Sequence, residues 1–407
     1  MAYGKNAQTP KSKVKSLHVL FTGLVTENML SGGDQLFLDI APRLPKDLKV
    51  IVVTPVFAKK HWKNIDLTNI EFRYLRRNRF DLRASPLLAF FSYLIRAWQT
   101  YWILRNEDVQ SIYSCSDIAY GDIWPAFFTV GRDSNVKWLS RIYHVLLPPK
   151  NRQGVYVVNV IAFYLQRISF WMIKKRSSTI FALNPKLSNE LKKLGFKKDK
   201  LAVLGAGIDF QSIQKFKPKK AYAYDVVALG RIAPVKGIFD AIKIWQKVHA
   251  SNPSLQLAWI GGGQEHYQKK VNQLLADKNL TDSFHMLGFI EKTEVYSVLK
   301  SSKVFICTDH ENGWGLAVCE AMASGLPVVA YDIEIFGSVY QKGYKSVPLF
   351  NTEKFAEEVI NLLTKDKKRE ILAVEASEQA RQFDQRAVTD TLINYLSLDA
   401  NASVKDK

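Results

Sequence analysis

The chain has 407 residues, 47% hydrophobic and 23% charged, so it is long enough for two domains with separate cores. Its three cysteines, Cys115, Cys307 and Cys319, are too few and too scattered for a disulfide framework or a C-x-x-C zinc site, which favours a reducing cytosol. The net charge is +19, and residues 1–205 alone carry 32 Lys and Arg against 14 Asp and Glu. This asymmetry predicts an anionic partner for the first half (a membrane surface, an anionic lipid-linked substrate or nucleic acid), unless the charge only solubilises it.

The predicted elements begin after a basic flexible tail, residues 1–16, which lacks the apolar run and cleavage site of a signal peptide. Short β-branched runs then alternate with longer helical patterns, which is typical of parallel sheets with crossover helices. The predicted strands of the first half are 17–22, 49–55, 70–75, 111–114, 138–144, 179–183 and 201–205. Those of the second half are 225–230, 255–261, 303–308 and 327–331.

These elements predict two Rossmann-like domains, residues 17–213 and 225–380, joined by a basic, proline-containing linker at 214–224. Residues 381–398 are predicted to form a helix that packs back on the N-terminal domain. Residues 399–407 are polar and are predicted to be a disordered tail.

Two aromatic-rich segments of the first half, 87–104 and 155–173, come closest to membrane spans. Each contains Arg and Gln, which makes insertion across a bilayer costly, so neither is predicted to span. One interpretation is a buried or half-buried helix of a large α/β core. The other is an interfacial membrane helix, because both segments are rich in Trp, Tyr and Phe and are bordered by basic residues.

The first glycine-rich site is Ser31-Gly32-Gly33-Asp34, between the first predicted strand and a helical pattern. Glycines there allow a ligand to approach a strand end and a helix N-terminus, where free N–H groups favour anions. A tight turn without a ligand explains the same residues equally well.

The second site is the loop from Gly230 to Gly237, which follows a predicted strand and precedes a helix. It carries two cations five residues apart, the planar guanidinium of Arg231 and the ammonium of Lys236, which acts as a point charge. Such cations can grip a diphosphate and neutralise the charge that grows on it as it departs, although an ordinary solvent-facing loop would also carry them.

The third site follows the strand 303–308 and includes Glu311, Asn312, Gly315 and Glu320. A Gly-x-Gly turn leads into a short helix, whose first N–H groups, those of residues such as Leu316 and Ala317, can meet phosphate oxygens. Glu320 lies about one and a half turns into that helix, where it can accept hydrogen bonds from ribose hydroxyls.

The three sites stand in order with further short motifs, and the ordered set resembles the retaining glycosyltransferases of the GT-B fold, in particular family 4, the glycosyl transferases group 1. The further motifs are Arg141-Ile142-Tyr143-His144, Gly205-Ala206-Gly207-Ile208-Asp209, Gly261-Gly262-Gly263 and Leu287-Gly288-Phe289. The resemblance implies an α/β protein with two Rossmann-like domains that face each other across a cleft. It also implies an acceptor domain at the N-terminus, a donor domain at the C-terminus, and transfer of a sugar from a nucleoside-diphosphate sugar with retention of configuration.

Residue roles follow from the same resemblance. Arg231, Lys236 and His144 are expected to be catalytic, the two cations on the donor diphosphate and His144 on the sugar or the acceptor near the cleft. The expected donor-binding residues are Gly32, Gly33, Gly230, Glu311, Asn312, Gly315, Leu316, Ala317 and Glu320. The family commonly has two glutamates separated by seven residues, and counting back from Glu320 leads to Asn312, one position after Glu311. Either Asn312 or, through a bulge, Glu311 takes the first position.

The resemblance therefore implies hexosyl transfer without a bound cofactor. The reaction is expected to be independent of a metal ion, because no Asp-x-Asp pair or His cluster follows a strand. The expected partners are a nucleotide-sugar donor, a glycan or lipid-linked acceptor and an anionic membrane surface. Nucleic acid is not expected as a partner, because it would explain the positive charge of the first half but not the three glycine-containing loops. The predicted location is cytoplasmic, peripheral on the inner face of the cell membrane. The alternatives are a catalytically silent glycosyltransferase-like subunit and a soluble transferase that makes a small glycoside or a glucan.

Overall fold

The computed structural model describes residues 15–22, 32–63, 68–81, 86–117, 119–152 and 155–397. Contacts divide the chain into two compact units. The first unit comprises Met1–Ala206 and Arg386–Lys407, and the second comprises Gly207–Gln385. The segment predicted as a linker, 214–224, lies in the second unit, where it includes a short 3-10 helix at Lys220–Tyr222.

The first unit is built on a seven-stranded parallel sheet in the order β3-β2-β1-β4-β5-β6-β7. Its strands are β1 (Ser16–Leu20), β2 (Lys49–Pro55), β3 (Ile70–Leu75), β4 (Ser111–Ser114), β5 (Lys137–Ile142), β6 (Thr179–Ala182) and β7 (Leu201–Val203). The order reverses between β1 and β4, the topological switch point where open parallel sheets bind ligands.

The second unit has a six-stranded parallel sheet in the order β10-β9-β8-β11-β12-β13. Its strands are β8 (Val226–Leu229), β9 (Leu257–Ile260), β10 (Phe284–Gly288), β11 (Val304–Cys307), β12 (Val328–Tyr331) and β13 (Tyr344–Val347). Its switch point lies between β8 and β11. The predicted class, α/β with two Rossmann-like domains, is confirmed.

Helices connect the strands in both units. In chain order they are α1 (Gly32–Ile40), α2 (Pro86–Arg105), α3 (Trp124–Arg132), α4 (Tyr156–Arg176), α5 (Pro185–Lys193), α6 (Phe210–Lys215), α7 (Ile238–Ser251), α8 (Glu265–Asp277), α9 (Lys292–Ser301), α10 (Leu316–Ala323), α11 (Glu334–Val339), α12 (Thr352–Thr364), α13 (Asp366–Arg381) and α14 (Gln385–Ser397). Because helices cover a parallel sheet on both faces, its strands are buried along their length, and β4, β5 and β6 are buried at every position.

The last helix, α14, completes the core of the first unit. Leu392 and Leu396 are buried in the same hydrophobic cluster as residues of β1, β2 and β5. The ring of Tyr395 meets that of Phe181 edge-on, with centroids 5.3 Å apart. The first unit therefore uses residues from both ends of the described chain.

The structure differs from the sequence-based prediction at four elements. Strands β10 and β13 were not predicted, and both lie at the edges of their sheet, where a strand needs no continuous apolar run. Strand β5 ends at Ile142, so His144 follows the strand by two residues instead of ending it. Helix α1 begins at Gly32, which places Gly32 and Gly33 in its first turn, not in a preceding loop. Ser31 lies outside the described residues.

Candidate functional site

Two loops meet at the switch point of the second unit, one after β8 and one after β11. The β8 loop contains Arg231 and Lys236, and the β11 loop runs from Thr308 to Gly315. The carboxyl ends of β8 and β11 lie side by side because these strands are parallel neighbours. Ligands of open α/β sheets bind at this position, so the two loops form the candidate site.

The two loops are joined by their backbones. Gly237 has φ +64°, and a Cβ atom there would lie 1.9 Å from the carbonyl oxygen of Thr308, so only glycine fits. The hydroxyl of Thr308 donates to the carbonyl of Lys236 at 3.1 Å, and the N–H of His310 donates to the carbonyl of Val235 at 2.9 Å. These contacts hold the Lys236 backbone against the end of β11.

An ion pair lies where the loops meet. Lys236 Nζ is 2.6 Å from Asp309 Oδ2, and the side chains are 21% and 10% exposed. Burial raises the pKa of Asp309, and the neighbouring charge of Lys236 opposes that rise. Asp309 was not predicted from the sequence, although a carboxylate two residues after a strand at the switch point was a usable signal.

Asn312 organises the β11 loop. Its Oδ1 accepts hydrogen bonds from the N–H groups of Trp314 at 3.0 Å and Gly315 at 2.8 Å, and its Nδ2 donates to Asp309 Oδ2 at 2.6 Å. The side chain of Glu311, in contrast, is exposed. Of the two candidates for the first acidic position, Asn312 is therefore the one whose side chain belongs to the network around Lys236.

Helix α10 begins directly after this loop. Gly315 has φ +89°, and a Cβ atom there would lie 2.7 Å from the ring of Phe336, so glycine is required. The hydroxyl of Tyr340 donates to the Gly315 carbonyl at 2.8 Å, which fixes the turn. Leu316 and Ala317 are the first two helical residues, and the N–H groups of a first helical turn favour an anion.

Glu320 is the fifth residue of α10, and its carboxylate contacts side chains of helix α9. The Tyr296 hydroxyl donates to Glu320 Oε1 at 3.0 Å, and Lys292 Nζ lies 4.0 Å from the same oxygen. The Glu320 side chain is 18% exposed, so a solute can reach it. Tyr296 was not predicted as a site residue.

A pocket of about 240 Å³ lies beside these loops, at the carboxyl ends of β8, β9 and β10. It is lined by Leu229, Gly230, Arg231, Ile260, Gly261, Gly262, Gly288, Phe289, Ile290 and Val295. Trp259 Nε1 donates to the Gly230 carbonyl at 2.9 Å and fixes one wall. The ring of Phe289 is 86% exposed, so one flat aromatic face is available at the rim. Of the lining residues, only Gly230 and Arg231 were among the predicted site residues.

The first unit has its own polar cluster near His144. The side chain of His144 is exposed, and its backbone is held by Gln166, a buried residue of α4. Gln166 Nε2 donates to the His144 carbonyl at 2.9 Å and to Asp117 Oδ2 at 3.2 Å, while its Oε1 accepts from the N–H of Leu146 at 2.8 Å. Burial raises the pKa of Asp117, and His144 opposes that rise. Neither Gln166 nor Asp117 was predicted as a site residue.

The predicted glycine pair lies at the switch point of the first unit, in the first turn of α1. A Cβ atom on Gly33 would lie 2.5 Å from the ring of Tyr143, so the close approach seen here is to a side chain of the same unit. Next to it, Asp122 accepts hydrogen bonds from the N–H of Thr22 at 3.0 Å and from its hydroxyl at 2.7 Å. Burial raises the pKa of Asp122 to about 8.

The predicted site residues thus fall into two groups. Arg231, Lys236, Asn312, Gly315 and Glu320 belong to the second unit, around its switch point. His144, Gly32 and Gly33 belong to the first unit. Among the residues that the structure describes, no group of three or more His, Cys, Asp or Glu side chains is placed to hold a metal ion.

Comparisons with known proteins agree with this architecture. Residues 209–380 match the model of the family described as glycosyl transferases group 1. Over 163 residues the chain is 24% identical to poly(glycerol-phosphate) alpha-glucosyltransferase of Bacillus subtilis, which covers 39% of this chain and 24% of the relative. Over 185 residues it is 27% identical to phosphatidyl-myo-inositol mannosyltransferase of Mycolicibacterium smegmatis, which covers 44% of this chain and 46% of the relative.

The fold is similar to that of HepE from Anabaena, solved in complex with UDP, with a TM-score of 0.72 and 16% identity over 94% of this chain and all of the other. The region from 209 to 380 therefore belongs to the glycosyl transferases group 1 family, and the chain has the GT-B fold. The matched regions span about a quarter to a half of the curated relatives, so activity, substrates and partners of the whole protein are matters for proposal.

Proposed function

We propose that this protein is a glycosyltransferase that moves a sugar from a nucleoside-diphosphate sugar to a glycan or lipid-linked acceptor, with retention of anomeric configuration. The observation that carries the proposal is the Lys236–Asp309 pair next to the start of α10, at the switch point of the second unit. A cation fixed beside a helix N-terminus is suited to a diphosphate.

The diphosphate is bound by Arg231, Lys236 and the first N–H groups of α10. As the bond from the sugar to the diphosphate breaks, negative charge grows on the leaving oxygen, and these fixed positive groups stabilise it. They thereby supply the neutralisation that a metal ion provides in other transferases. Asp309 holds Lys236 in position and balances its charge when no donor is bound.

The nucleoside part of the donor occupies the pocket beside Phe289 and the surroundings of Glu320. Glycine-lined walls allow a flat ring to approach the backbone closely, and the exposed ring of Phe289 offers a stacking surface. Glu320 accepts hydrogen bonds from the ribose hydroxyls. Uridine is the first base to test, because the HepE structure is a complex with UDP.

The acceptor is bound by the first unit, near His144. Residues 1–205 carry nearly all of the excess positive charge, which attracts an anionic acceptor. The two curated relatives are named for anionic acceptors, poly(glycerol-phosphate) and phosphatidyl-myo-inositol. We place the reaction on the cytoplasmic side, at the inner face of the cell membrane, where anionic lipids attract basic surfaces.

Retention of configuration places the incoming hydroxyl on the same face of the sugar as the departing diphosphate. Such a reaction depends on positive charge around the leaving group and on the orientation of the acceptor more than on a carboxylate nucleophile. Asn312 in place of the common glutamate is compatible with this chemistry, because the amide keeps the β11 loop in shape.

The test is release of nucleoside diphosphate from a panel of nucleoside-diphosphate sugars, measured with and without acceptor-bearing vesicles. Arg231→Ala and Lys236→Ala should each lower the rate of the preferred donor about a hundredfold, since each group supplies about 3 kcal/mol. Lys345→Ala is the matched control, an exposed lysine of β13 in the same unit. Wild-type rates in both alanine variants would overturn the assignment of the site.

A second candidate is a catalytically silent subunit that binds the nucleotide without transferring sugar. Asn312 motivates it, because the family commonly has glutamate there. Binding of nucleotide without turnover of any donor in the panel, with or without vesicles, would favour this candidate. Transfer to a soluble sugar but not to vesicles would instead favour the soluble transferase.

A further inference from the structure

Helix α4 presents a long apolar stripe to solvent. Its members recur every three or four residues, so they lie on one face, and each is between 41% and 63% exposed. They are Val157, Ile161, Tyr164, Ile168 and Trp171. The opposite face of the helix is buried in the first unit through residues that include Leu165, Phe170 and Ile173.

Helix α2 presents a similar stripe. Phe91, Trp98 and Trp102 are 44%, 62% and 40% exposed, at spacings of seven and four residues that again define one face. Between the two helices, Phe128 of α3 is 51% exposed. So many large aromatic side chains are rarely exposed to solvent on a single surface.

Ring contacts join these stripes into one surface, because α3 packs against both α2 and α4. The contacts, with centroid distances, are Trp98–Trp102 (5.6 Å), Tyr101–Trp102 (6.0 Å), Tyr101–Phe128 (6.2 Å), Phe127–Phe128 (5.6 Å) and Phe127–Trp171 (5.5 Å). We call the exposed rings of Trp98, Trp102, Phe128, Tyr164 and Trp171 the aromatic face.

The helices that carry the aromatic face have only basic charged residues, although the exposed Asp108 and Asp133 follow the ends of α2 and α3. Helices α2, α3 and α4 contain no Asp or Glu, and the last turn of each is basic. Each of the three helices connects one parallel strand to the next, so they run in the same direction and their basic ends lie together. Arg105 lies over the ring of Trp102 at 5.1 Å, and Lys175 lies over that of Trp171 at 5.2 Å.

We propose that the aromatic face docks on the surface of an anionic lipid bilayer, with α2 and α4 lying along the membrane. This inference rests on the proposed function, which puts the acceptor at a membrane. Trp and Tyr favour the boundary between acyl chains and headgroups, and Arg and Lys beside them reach anionic phosphates. A second copy of the chain fits less well, because it would bring together two sets of helices that carry only basic charged residues.

The helices lie on the bilayer and do not cross it. By length and composition α4 could span a membrane, a test that core helices of other proteins also pass. Its other face, however, is packed against the rest of the first unit, which includes α3. Because α4 follows β5, its first turn lies at the same end of the sheet as His144. Docking therefore brings the residues around His144 close to the headgroups.

Co-sedimentation of the full chain with vesicles tests the proposal. Vesicles of phosphatidylcholine with a minor fraction of phosphatidylglycerol should bind the protein, and phosphatidylcholine alone should bind it poorly. The variant Trp98→Ser with Trp171→Ser should bind the anionic vesicles on the order of tenfold or more weakly, because it removes two exposed rings. Its control is Ile371→Ser with Val374→Ser on α13, whose side chains are 54% and 61% exposed, close to the 54% and 62% of Trp171 and Trp98.

Nucleotide-sugar hydrolysis in the absence of vesicles separates this inference from the proposed function. The serine variant should hydrolyse donor at the wild-type rate and lose only vesicle binding. Equal vesicle binding by wild type and the serine variant overturns the docking surface, while hydrolysis stays unaffected. If the wild type released no nucleoside diphosphate from any donor, with or without acceptor-bearing vesicles, that result would instead contradict the proposed function.

Brominated lipids give a second readout that does not depend on loss of binding. Trp98→Phe, Trp102→Phe and Trp171→Phe together keep an apolar surface but remove the fluorescent rings. Bromine on the upper acyl chains should quench the tryptophan fluorescence of bound wild type, and most of that quenching should disappear in the phenylalanine variant. Equal quenching in both proteins, or concentration-dependent self-association that requires Trp98 and Trp171, would show that something other than lipid covers the face.

Discussion

Lys236 Nζ and Asp309 Oδ2 lie 2.6 Å apart, so the cation expected to neutralise the leaving diphosphate is held by a carboxylate from the neighbouring strand end. A charge-assisted hydrogen bond of this kind is worth about 1.5–3 kcal/mol. The pair therefore fixes the direction of the Lys236 side chain before a donor arrives.

We expect Asp309→Asn to lower kcat by about ten- to a hundredfold, because the charge-assisted bond that orients Lys236 is lost. The affinity for UDP should stay the same or increase, since a negative charge near the diphosphate is removed. Steady-state kinetics and calorimetry measure the two effects separately. Asp332→Asn, an exposed carboxylate directly after β12, is the control. An unchanged kcat in Asp309→Asn would mean that Asp309 does not position Lys236.

Asn312 gives a second prediction, because its amide oxygen accepts from the backbone whereas its amide nitrogen donates to Asp309. Asn312→Ala should lower both the melting temperature and kcat, since the N–H groups of Trp314 and Gly315 lose their acceptor. Asn312→Asp keeps that acceptor but puts a second carboxylate beside Asp309, so its stability should decrease as the pH rises and both groups ionise. Melting curves across pH distinguish the variants, and identical pH dependence in Asn312→Asp and wild type would exclude this geometry.

Much of this fold could be predicted from the sequence, because parallel strands buried on both faces give continuous apolar runs. Strand β13 could not, since Lys345 and Ser346 are exposed on an edge strand and interrupt the run. The spacing of Arg231 and Lys236 in the sequence likewise led to the expectation of a diphosphate site, which stays a prediction. Asp309 is a single carboxylate after a strand, and no local pattern indicates that it pairs with Lys236, 73 positions earlier.

Gln166 illustrates the same limit in the first unit. In the sequence, Gln166 is a polar residue in the apolar segment 155–173, and it indicates only that this segment does not span a membrane. Its three hydrogen bonds reach Asp117, the His144 carbonyl and Leu146, up to 49 residues away. Contacts of this range depend on tertiary packing and leave no periodic pattern.

Gln166→Leu should reduce transfer to the acceptor while leaving UDP binding unchanged. The substitution leaves the Leu146 N–H without its acceptor and loosens the backbone at His144, at a cost of about 1–3 kcal/mol for each unsatisfied group. Ser169→Ala is the matched control, because Ser169 is buried on the same helix and its hydroxyl has no hydrogen-bond partner among the described residues. Equal transfer rates in Gln166→Leu and Ser169→Ala would show that Gln166 does not position His144.

Asp122 predicts a pH dependence of stability. Burial raises its pKa to about 8 in the folded state, above its unfolded value of about 3.9. Between these values the folded state binds the extra proton, so the stability that Asp122 contributes is largest below about pH 4 and decreases as the pH rises towards 8. Asp122→Asn should remove this decrease, so the gap in melting temperature between the variant and wild type should change steadily over that range. A constant gap would contradict the raised pKa.

The most direct test of the central claim compares the affinities of UDP and UMP for the full chain by calorimetry. Arg231, Lys236 and the start of α10 are assigned to the diphosphate, so the wild type should bind UDP at least about tenfold more tightly than UMP, as charge-assisted bonds to the second phosphate require. In the double variant Arg231→Ala with Lys236→Ala, most of that ratio should disappear while UMP still binds. The same ratio in both proteins would show that the second phosphate is bound elsewhere.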